Sequence, residues 1–266
     1  MSMVDCNKVC ISLSGGLDST CLLMHYLAKG FSVKAFSFDY GQKHDIELKK
    51  VKKNIKFLQE KGFPVEYQCI NLRDCFSDSA SSLSKNSSED IPHERYNSDN
   101  QKVTVVEQRN VIFSAVVYGK ALSLSKKTNS DVLISLGIHS NDTAVYPDTT
   151  PESQQMAREL FRISNWGSER IDYEAPYKYF KKDEVLKDGI NSMMEMGLDK
   201  VEIRKVLKNT HSCYDPDKDG RSCGKCGTCQ ERIACFALNN IKDPIQYSLD
   251  KDELSKLYVE YKEYGL

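Results

Sequence analysis

The chain has 266 residues, 40% hydrophobic and 28% charged, the composition of an ordinary globular protein able to bury a large core without disulfide staples. Thirty-seven basic against 38 acidic side chains leave a formal net charge of −1, which excludes coating of nucleic acid by bulk electrostatics but leaves room for a local basic groove. No run approaches the roughly eighteen consecutive apolar residues of a membrane span, and Met1–Cys6 has no apolar stretch of the secretory kind. The ten cysteines are therefore expected as thiols in a reducing cytoplasm, unless a metal holds them.

In chain order, Lys8–Leu13 reads as a strand and is followed at once by Ser14-Gly15-Gly16. A helix begins near Asp18, with Leu22, Leu23, Tyr26 and Leu27 as its apolar stripe and Gly30 as its stop. Val33–Phe38 is a second strand, 44–60 an amphipathic helix carried by Leu48, Val51, Ile55 and Leu58, and Val65–Ile70 a third strand. This alternation predicts a parallel sheet with right-handed crossovers. Residues 77–101 break it: eight serines and five acidic residues among few aliphatics predict a flexible surface loop, either a lid or an undecorated insertion. Asn110–Leu124 is then helical, Asp131–Gly137 a buried strand, and 151–164 and 181–196 are helices. From about 199 the chain is helical apart from a cysteine-rich segment, and no internal repeat is visible. The expected architecture is one Rossmann-like α/β domain over residues 1–198, a parallel sheet flanked by helices, with a C-terminal helical, metal-bound segment over 199–266.

The run Ser14-Gly15-Gly16-Leu17-Asp18-Ser19-Thr20 joins a strand to a helix N-terminus. Glycines let backbone amides approach an anion, the first-turn N–H groups of the helix favour a phosphate, and the three hydroxyls add donors. Asp18 either caps the helix or holds Mg²⁺ against the phosphates. Neither the lysine-bearing phosphate loop nor the spaced-glycine dinucleotide pattern occurs. A tight strand-to-helix turn is the plain alternative.

Cys213, Cys223, Cys226 and Cys229 follow the spacing C-x9-C-x2-C-x2-C, and Gly224 and Gly227 permit the tight backbone such a site needs. Four thiolates suit a closed, structural zinc; an iron–sulfur cluster is the alternative, since thiolate count does not separate the two. His211 and Cys235 are rival ligands. Cys235 suits a core position on a helix over Gln230–Asn240, and His211 suits a site-facing one.

The glycine run resembles the loop of the PP-loop ATP pyrophosphatases. Joined to the cysteine spacing, it resembles the 7-cyano-7-deazaguanine synthase (QueC) family over nearly the whole chain. Further similar segments are Phe38-Asp39-Tyr40-Gly41-Gln42-Lys43-His44, Gln108-Arg109-Asn110, Gly137–Asp142, Tyr146-Pro147-Asp148, Lys181–Glu184, His211-Ser212 and Gln230-Glu231-Arg232. The resemblance implies an adenine nucleotide alpha hydrolase-like fold. It implies adenylation of 7-carboxy-7-deazaguanine with pyrophosphate release, displacement of AMP by ammonia, and activation and dehydration of the amide to the nitrile. ATP binding is implied for Leu13, Ser14, Gly15, Gly16, Leu17, Asp18, Ser19, Thr20, Phe38 and Gly137, with Mg²⁺ accompanying ATP. Catalytic roles are implied for Asp18, Arg109 and Lys182, and substrate binding for Arg109, Asn110, Tyr146 and Asp148. Zinc ligation falls to the four cysteines, a homodimer is implied, and His139 receives no role.

The chain departs from the family pattern at three places. Glu107-Gln108 stand where proline and glycine are usual, Thr149-Thr150 where cysteine and arginine are, and Lys43 where arginine is common. Three other functions are weighed. One is a QueC-like ligase that passes the activated carboxylate to an amine on a protein or nucleic acid, as QueC-like genes in phage-defence clusters suggest. Another is a PP-loop tRNA sulfur-transfer enzyme with an iron–sulfur cluster. The last is a non-enzymatic, zinc-stabilised nucleotide-binding module.

Overall fold

Five short strands form the centre of the molecule, in a computed structural model that describes residues 6–94, 99–144 and 146–264. They are β1 (Lys8–Ser12), β2 (Ser32–Asp39), β3 (Val65–Asn71), β4 (Val132–Ser135) and β5 (Ile171–Glu174), in the order β3-β2-β1-β4-β5. Every pairing is parallel, with Ile11 in register with Ala35 on one side and Ser135 on the other. The sequence reading has no counterpart for β5. Its four residues, burial pattern buried–half-buried–buried–exposed, are too few to display a period.

The alternation of the pleat divides the core in two. Val9, Ile11, Val33 and Ala35 face a layer built from α1 (Leu17–Ala28), α2 (Ile46–Glu60), α5 (Lys182–Glu195) and α6 (Lys200–Lys208). Cys10, Phe36, Phe38 and Ile134 face α3 (Arg109–Thr128) and α4 (Pro151–Ile163) on the other side. Helix α2 buries Val51, Ile55 and Leu58 and turns Lys49, Lys52, Lys53 and Lys56 outward, as its 3.6-residue pattern requires, while half-buried Lys50 donates to Thr210 O at 3.1 Å. Helices α1 and α5 touch closely: a Cβ on Gly189 would lie 2.4 Å from Cys21 Sγ.

The chain leaves β1 toward β2 and β3 but leaves β4 toward β5, so the β1–β4 boundary is where the winding reverses. A crevice opens there at the carboxyl ends of the strands, the usual ligand position in sheets of this type. After α6 come the cysteine segment, α7 (Gly227–Leu238), a loop, and α8 (Lys251–Tyr264). Arg232 of α7 fastens this region. It pairs with Asp243 through Nε (2.7 Å) and Nη2 (3.0 Å) and donates to Thr210 Oγ1 at 2.7 Å, while Tyr247 donates to Asp243 at 2.7 Å.

Part of the serine-rich segment expected to be a flexible loop is packed. Leu83 and Ser82 are fully buried, Lys43 N–H donates to Leu83 O at 2.8 Å, and Lys85 N–H donates to Gly41 O at 2.9 Å. The cause is the turn after β2. It offers partners for the backbone of 83–85, and Leu83 supplies the apolar anchor beside Tyr40 and Phe76.

Candidate active site

The glycine run wraps the crevice as a strand-to-helix turn. Gly15 adopts φ +98°, and a Cβ there would stand 2.7 Å from the Glu47 carbonyl oxygen, so the loop can lie against α2 only with glycine. Gly137, just beyond β4, passes equally close to α1; its Cβ would meet Ser19 N at 3.2 Å. Gly16 caps α1 without any side-chain hydrogen bond. The first-turn N–H groups therefore receive no cap from Asp18 and face the crevice as an anion site. Ser14 Oγ and Ser19 Oγ lie 3.0 Å apart, and Gly15 N–H donates to Ser19 Oγ at 3.3 Å.

Not every residue of the run reaches the cavity. Ser14, Gly16, Asp18 and Ser19 line it, with Phe38 and Gly137. Leu13 and Leu17 point into the core at 2% and 0% exposure, and the Thr20 hydroxyl donates back to Gly16 O at 2.8 Å. These three shape the loop from beneath.

Asp18 belongs to a buried charge cluster. Lys182 Nζ, from the first turn of α5, stands 3.1 Å from Asp18 Oδ2 and 2.7 Å from Glu231 Oε2 of α7. His139 Nε2 lies 3.7 Å from Asp18 Oδ2 and 3.7 Å from Asp142 Oδ1. Burial by itself would raise the Asp18 pKa, yet the Lys182 ammonium and His139 hold it well below the usual carboxylate range. Burial would likewise strip Lys182 of its proton, but Asp18 and Glu231 together push its pKa up. His139 is pushed up to about 9: Asp142 and Asp18 outweigh the desolvation that would lower it. Asp18 Oδ1 is buried without a hydrogen-bond partner, which fits a carboxylate able to meet a cation brought in with phosphate.

The opposite wall is aromatic. Phe38 and Phe113 stack with centroids 4.0 Å apart at 14°. Arg109, the first residue of α3, donates from Nη1 to Tyr40 OH at 3.2 Å and lies 5.7 Å from the centroid of that ring. Tyr146 OH is 3.2 Å from Tyr214 OH and 3.0 Å from Thr104 Oγ1. Asn110 donates to Asp148 Oδ1 at 3.2 Å. Arg109, Asn110 and Tyr146 line the cavity, which encloses about 210 Å³; Asp148 stands behind Asn110 and does not. Gln108, the residue before Arg109, sits at φ 53°, a left-handed conformation that a glycine would adopt without strain.

The four cysteines come together next to this cavity. Their sulfurs lie within 4.8 Å of one another, close to the separation of about 3.8 Å that tetrahedral Zn–S bonds near 2.3 Å require. Cys223 N–H donates to Cys213 Sγ at 3.2 Å, and Cys226 N–H donates to Cys223 Sγ at 3.3 Å. Such bonds suit thiolates, and the group fits a zinc ion with its coordination complete. Cys235 lies apart in the core, its thiol donating to Lys182 O at 3.3 Å, and His211 lines the cavity instead. Because α7 starts at Gly227 inside the cluster, a metal there would fix the helix that delivers Thr228 to the cavity and Glu231 to Lys182.

Sequence reasoning assigned no role to the cavity residues Glu47, Phe113, Tyr214 and Thr228, and placed Tyr40 and His44 only within a segment similar to the family's. Glu47 reads as an ordinary acidic first-turn residue and Phe113 as one apolar residue of an apolar helix. Tyr214 carried a usable signal, being adjacent to Cys213. Glu231 and His139, quoted in the sequence without a role, both complete the charge cluster around Asp18 and Lys182.

A doubly wound parallel sheet with this loop at its switch point defines a nucleotide-binding protein of the PP-loop class. The model of the family described as "Queuosine biosynthesis protein QueC" matches residues 8–240. The chain belongs to that family. It is 36% identical over 240 residues to 7-cyano-7-deazaguanine synthase of Pseudoalteromonas translucida (strain TAC 125), covering 90% of this chain and 98% of that one. The synthase of Rickettsia felis (strain ATCC VR-1525 / URRWXCal2) is 36% identical over 245 residues, covering 90% and 99%. That of Caldicellulosiruptor saccharolyticus (strain ATCC 43494 / DSM 8903 / Tp8T 6331) is 32% identical over 245 residues, covering 92% and 97%.

Proposed function

We propose that this chain activates 7-carboxy-7-deazaguanine with ATP, releasing pyrophosphate, forms the amide with ammonia, and carries it on to 7-cyano-7-deazaguanine. The observation that best supports this reading is one cavity with an anion-binding helix terminus on one side and an arginine set among aromatic rings on the other. The loop of Ser14, Gly16 and Ser19 would hold the departing pyrophosphate. Lys182 would meet the phosphate charge as it shifts in the transition state, positioned by Asp18 and Glu231. Arg109 presents a planar fork to a carboxylate or α-phosphate, and Asn110, oriented by Asp148, stands beside it. Phe38 and Phe113 give a flat apolar surface to a planar ring, and Tyr146 borders it. Mg²⁺ entering with ATP would be held by Asp18 and would neutralise phosphate charge. Zinc on Cys213, Cys223, Cys226 and Cys229 would be structural.

The cytoplasm suits this chemistry, and all ten cysteines are free of disulfides. The homodimer expected from the resemblance has a candidate face on α4. Met156, Leu160 and Ile163 form an outward stripe at 68%, 55% and 74% exposure, continued by Trp166 at 93%.

Purified protein given Mg²⁺–ATP, 7-carboxy-7-deazaguanine and ammonium should yield AMP, pyrophosphate and the nitrile by mass spectrometry. Absence of substrate-dependent pyrophosphate would overturn the activation step. An adenylate that accumulates and reacts only with a protein or nucleic-acid amine would replace ammonia as the acceptor.

A further inference from the structure

Three polar groups in the cavity have no part in adenylation as described. Glu47, 7% exposed, lies in the first turn of α2, where its backbone carbonyl abuts Gly15 of the phosphate loop. Its Oε1 accepts a hydrogen bond from Gln42 Nε2 at 3.2 Å, and His44 Nε2 stands 3.8 Å from the same oxygen. His44 is 5% exposed and its Nδ1 has no partner. His211, 1% exposed, is anchored through its N–H to Gly15 O at 2.8 Å, and its ring nitrogens make no well-formed hydrogen bond, the Cys213 backbone being the polar group that acts on them. All three line the cavity beside the loop, and His44 and His211 are close enough to act on each other electrostatically.

Buried polar atoms without partners are uncommon and call for a ligand or another explanation. Here they are imidazole nitrogens of His44 and His211, which line the cavity with a Glu47 carboxyl that already accepts from Gln42, and acceptors of this kind suit a compact species rich in N–H donors. Burial pushes the Glu47 carboxyl up to about 8 against the opposing Gln42 bond and Arg109 charge, with Asp45 reinforcing the rise. His44, Arg109, Asp45, Tyr40 and Tyr67 are charged or titratable groups that act on it. In its ionised form, whose share grows as pH rises toward and past 8, a carboxylate of that basicity takes a proton far more readily than an exposed one. The Arg109 charge, which also acts on Glu47, disfavours a second cation beside it and so drives an ammonium that has entered to give up its proton.

We propose that Glu47, flanked by His44 and His211, is the subsite that binds the attacking nitrogen as ammonium and takes its proton. The inference rests on the adenylation reading above. In the step, one N–H bond of ammonium breaks and its proton goes to the Glu47 carboxylate. The freed lone pair attacks the acyl carbon of the adenylate. The C–N bond forms, the bond from that carbon to the phosphate oxygen breaks, and AMP leaves with the electron pair. A second nitrogen proton passes to the AMP phosphate, leaving the neutral amide. His44 and His211 accept N–H bonds and hold the nitrogen in line.

The test compares two nucleophiles on Glu47→Gln in the full-length zinc-loaded protein. Ammonium must lose a proton before it attacks; hydroxylamine is largely unprotonated at neutral pH and need not. Amide formation from ammonium should fall by about 100-fold or more, the usual scale for a lost general base, while hydroxamate formation stays within about threefold of wild type. Equal losses with both nucleophiles, or no loss with ammonium, would overturn the proposal. If Glu47→Gln does not fold, Glu47→Asp is read the same way, with a smaller loss confined to ammonium. A wild type that forms neither pyrophosphate nor hydroxamate fails at activation, which overturns the function itself and is distinct from a selective result at Glu47.

Discussion

Lys182 stands between the buried carboxylates of Asp18 and Glu231, so its removal should be expensive in a way that pH reveals. Lys182→Met keeps the length of the stem and deletes only the charge. Nζ lies 3.1 Å from Asp18 Oδ2 and 2.7 Å from Glu231 Oε2, and Lys182 and Glu231 are 6% and 1% exposed. Breaking a buried pair from one side typically costs about 3–5 kcal/mol, because an uncompensated charge stays behind. At roughly 2–4 °C per kcal/mol for a chain of this size, the melting temperature should drop by about 6–20 °C. The sign of the pH dependence follows from Asp18. Its folded-state pKa is depressed in the wild type, which stabilises the fold above the unfolded carboxylate pKa and loses that contribution as pH falls toward the folded value. In Lys182→Met the largest remaining influence is burial, which raises the pKa, so the deficit should be greatest at pH above neutrality and shrink as acid protonates the carboxyls. Urea unfolding at several pH values measures it, and adding Glu231→Gln to Lys182→Met should recover part of the loss. A variant within about 1 kcal/mol of wild type at alkaline pH, or a deficit that does not change with pH, would refute the reasoning.

Cys226→Ser should release the metal and lower stability together, checked by metal analysis and thermal melting; a zinc-free variant with full activity would show that the cluster holds no structural metal. Gln108→Gly should raise stability by up to about 1 kcal/mol by relieving the left-handed backbone at φ 53°, and denaturant unfolding that shows a loss would contradict this. His139 has its pKa raised to about 9 from 6.5, because Asp142 and Asp18 overcome the burial that opposes protonation. Its stabilising contribution is therefore complete below the unfolded value and disappears as pH climbs through the folded one, worth about 3 kcal/mol at most. The stability difference between wild type and His139→Gln should accordingly narrow from pH 6.5 toward pH 9; a constant difference would assign the residue to packing alone.

What could be read from the sequence, and what could not, follows from the range of the interactions involved. The alternation of strands and amphipathic helices up to Ile70 is local, and the parallel sheet follows it. The glycine run and the cysteine spacing are local as well, since each packs its chemistry into a few consecutive turns. Strand β5 was invisible because four residues carry no period, and it forms only against β4. The packing of Leu83 escaped composition because its partners belong to the turn at Gly41 and Lys43.

The charge cluster shows the boundary most clearly. The sequence by itself determined a strand–glycine loop–helix unit, a four-thiolate group and the residue types of a nucleotide site. It also made Asp18 ambiguous, since an aspartate in a first helical turn suits a cap as well as a ligand. Only the tertiary structure decided against the cap. It brings Lys182 from α5, His139 from beyond β4 and Glu231 from α7 around the carboxylate, while Gly16 leaves the helix uncapped. His139 and Lys182 each stand more than a hundred positions from Asp18, and Glu231 a further 49 beyond Lys182, yet they lie within 4 Å in pairs. Spacing along a chain constrains only neighbours on the same turn. The partner charges that outweigh burial at Asp18, His139 and Lys182 meet only once the sheet and its helices have closed around them.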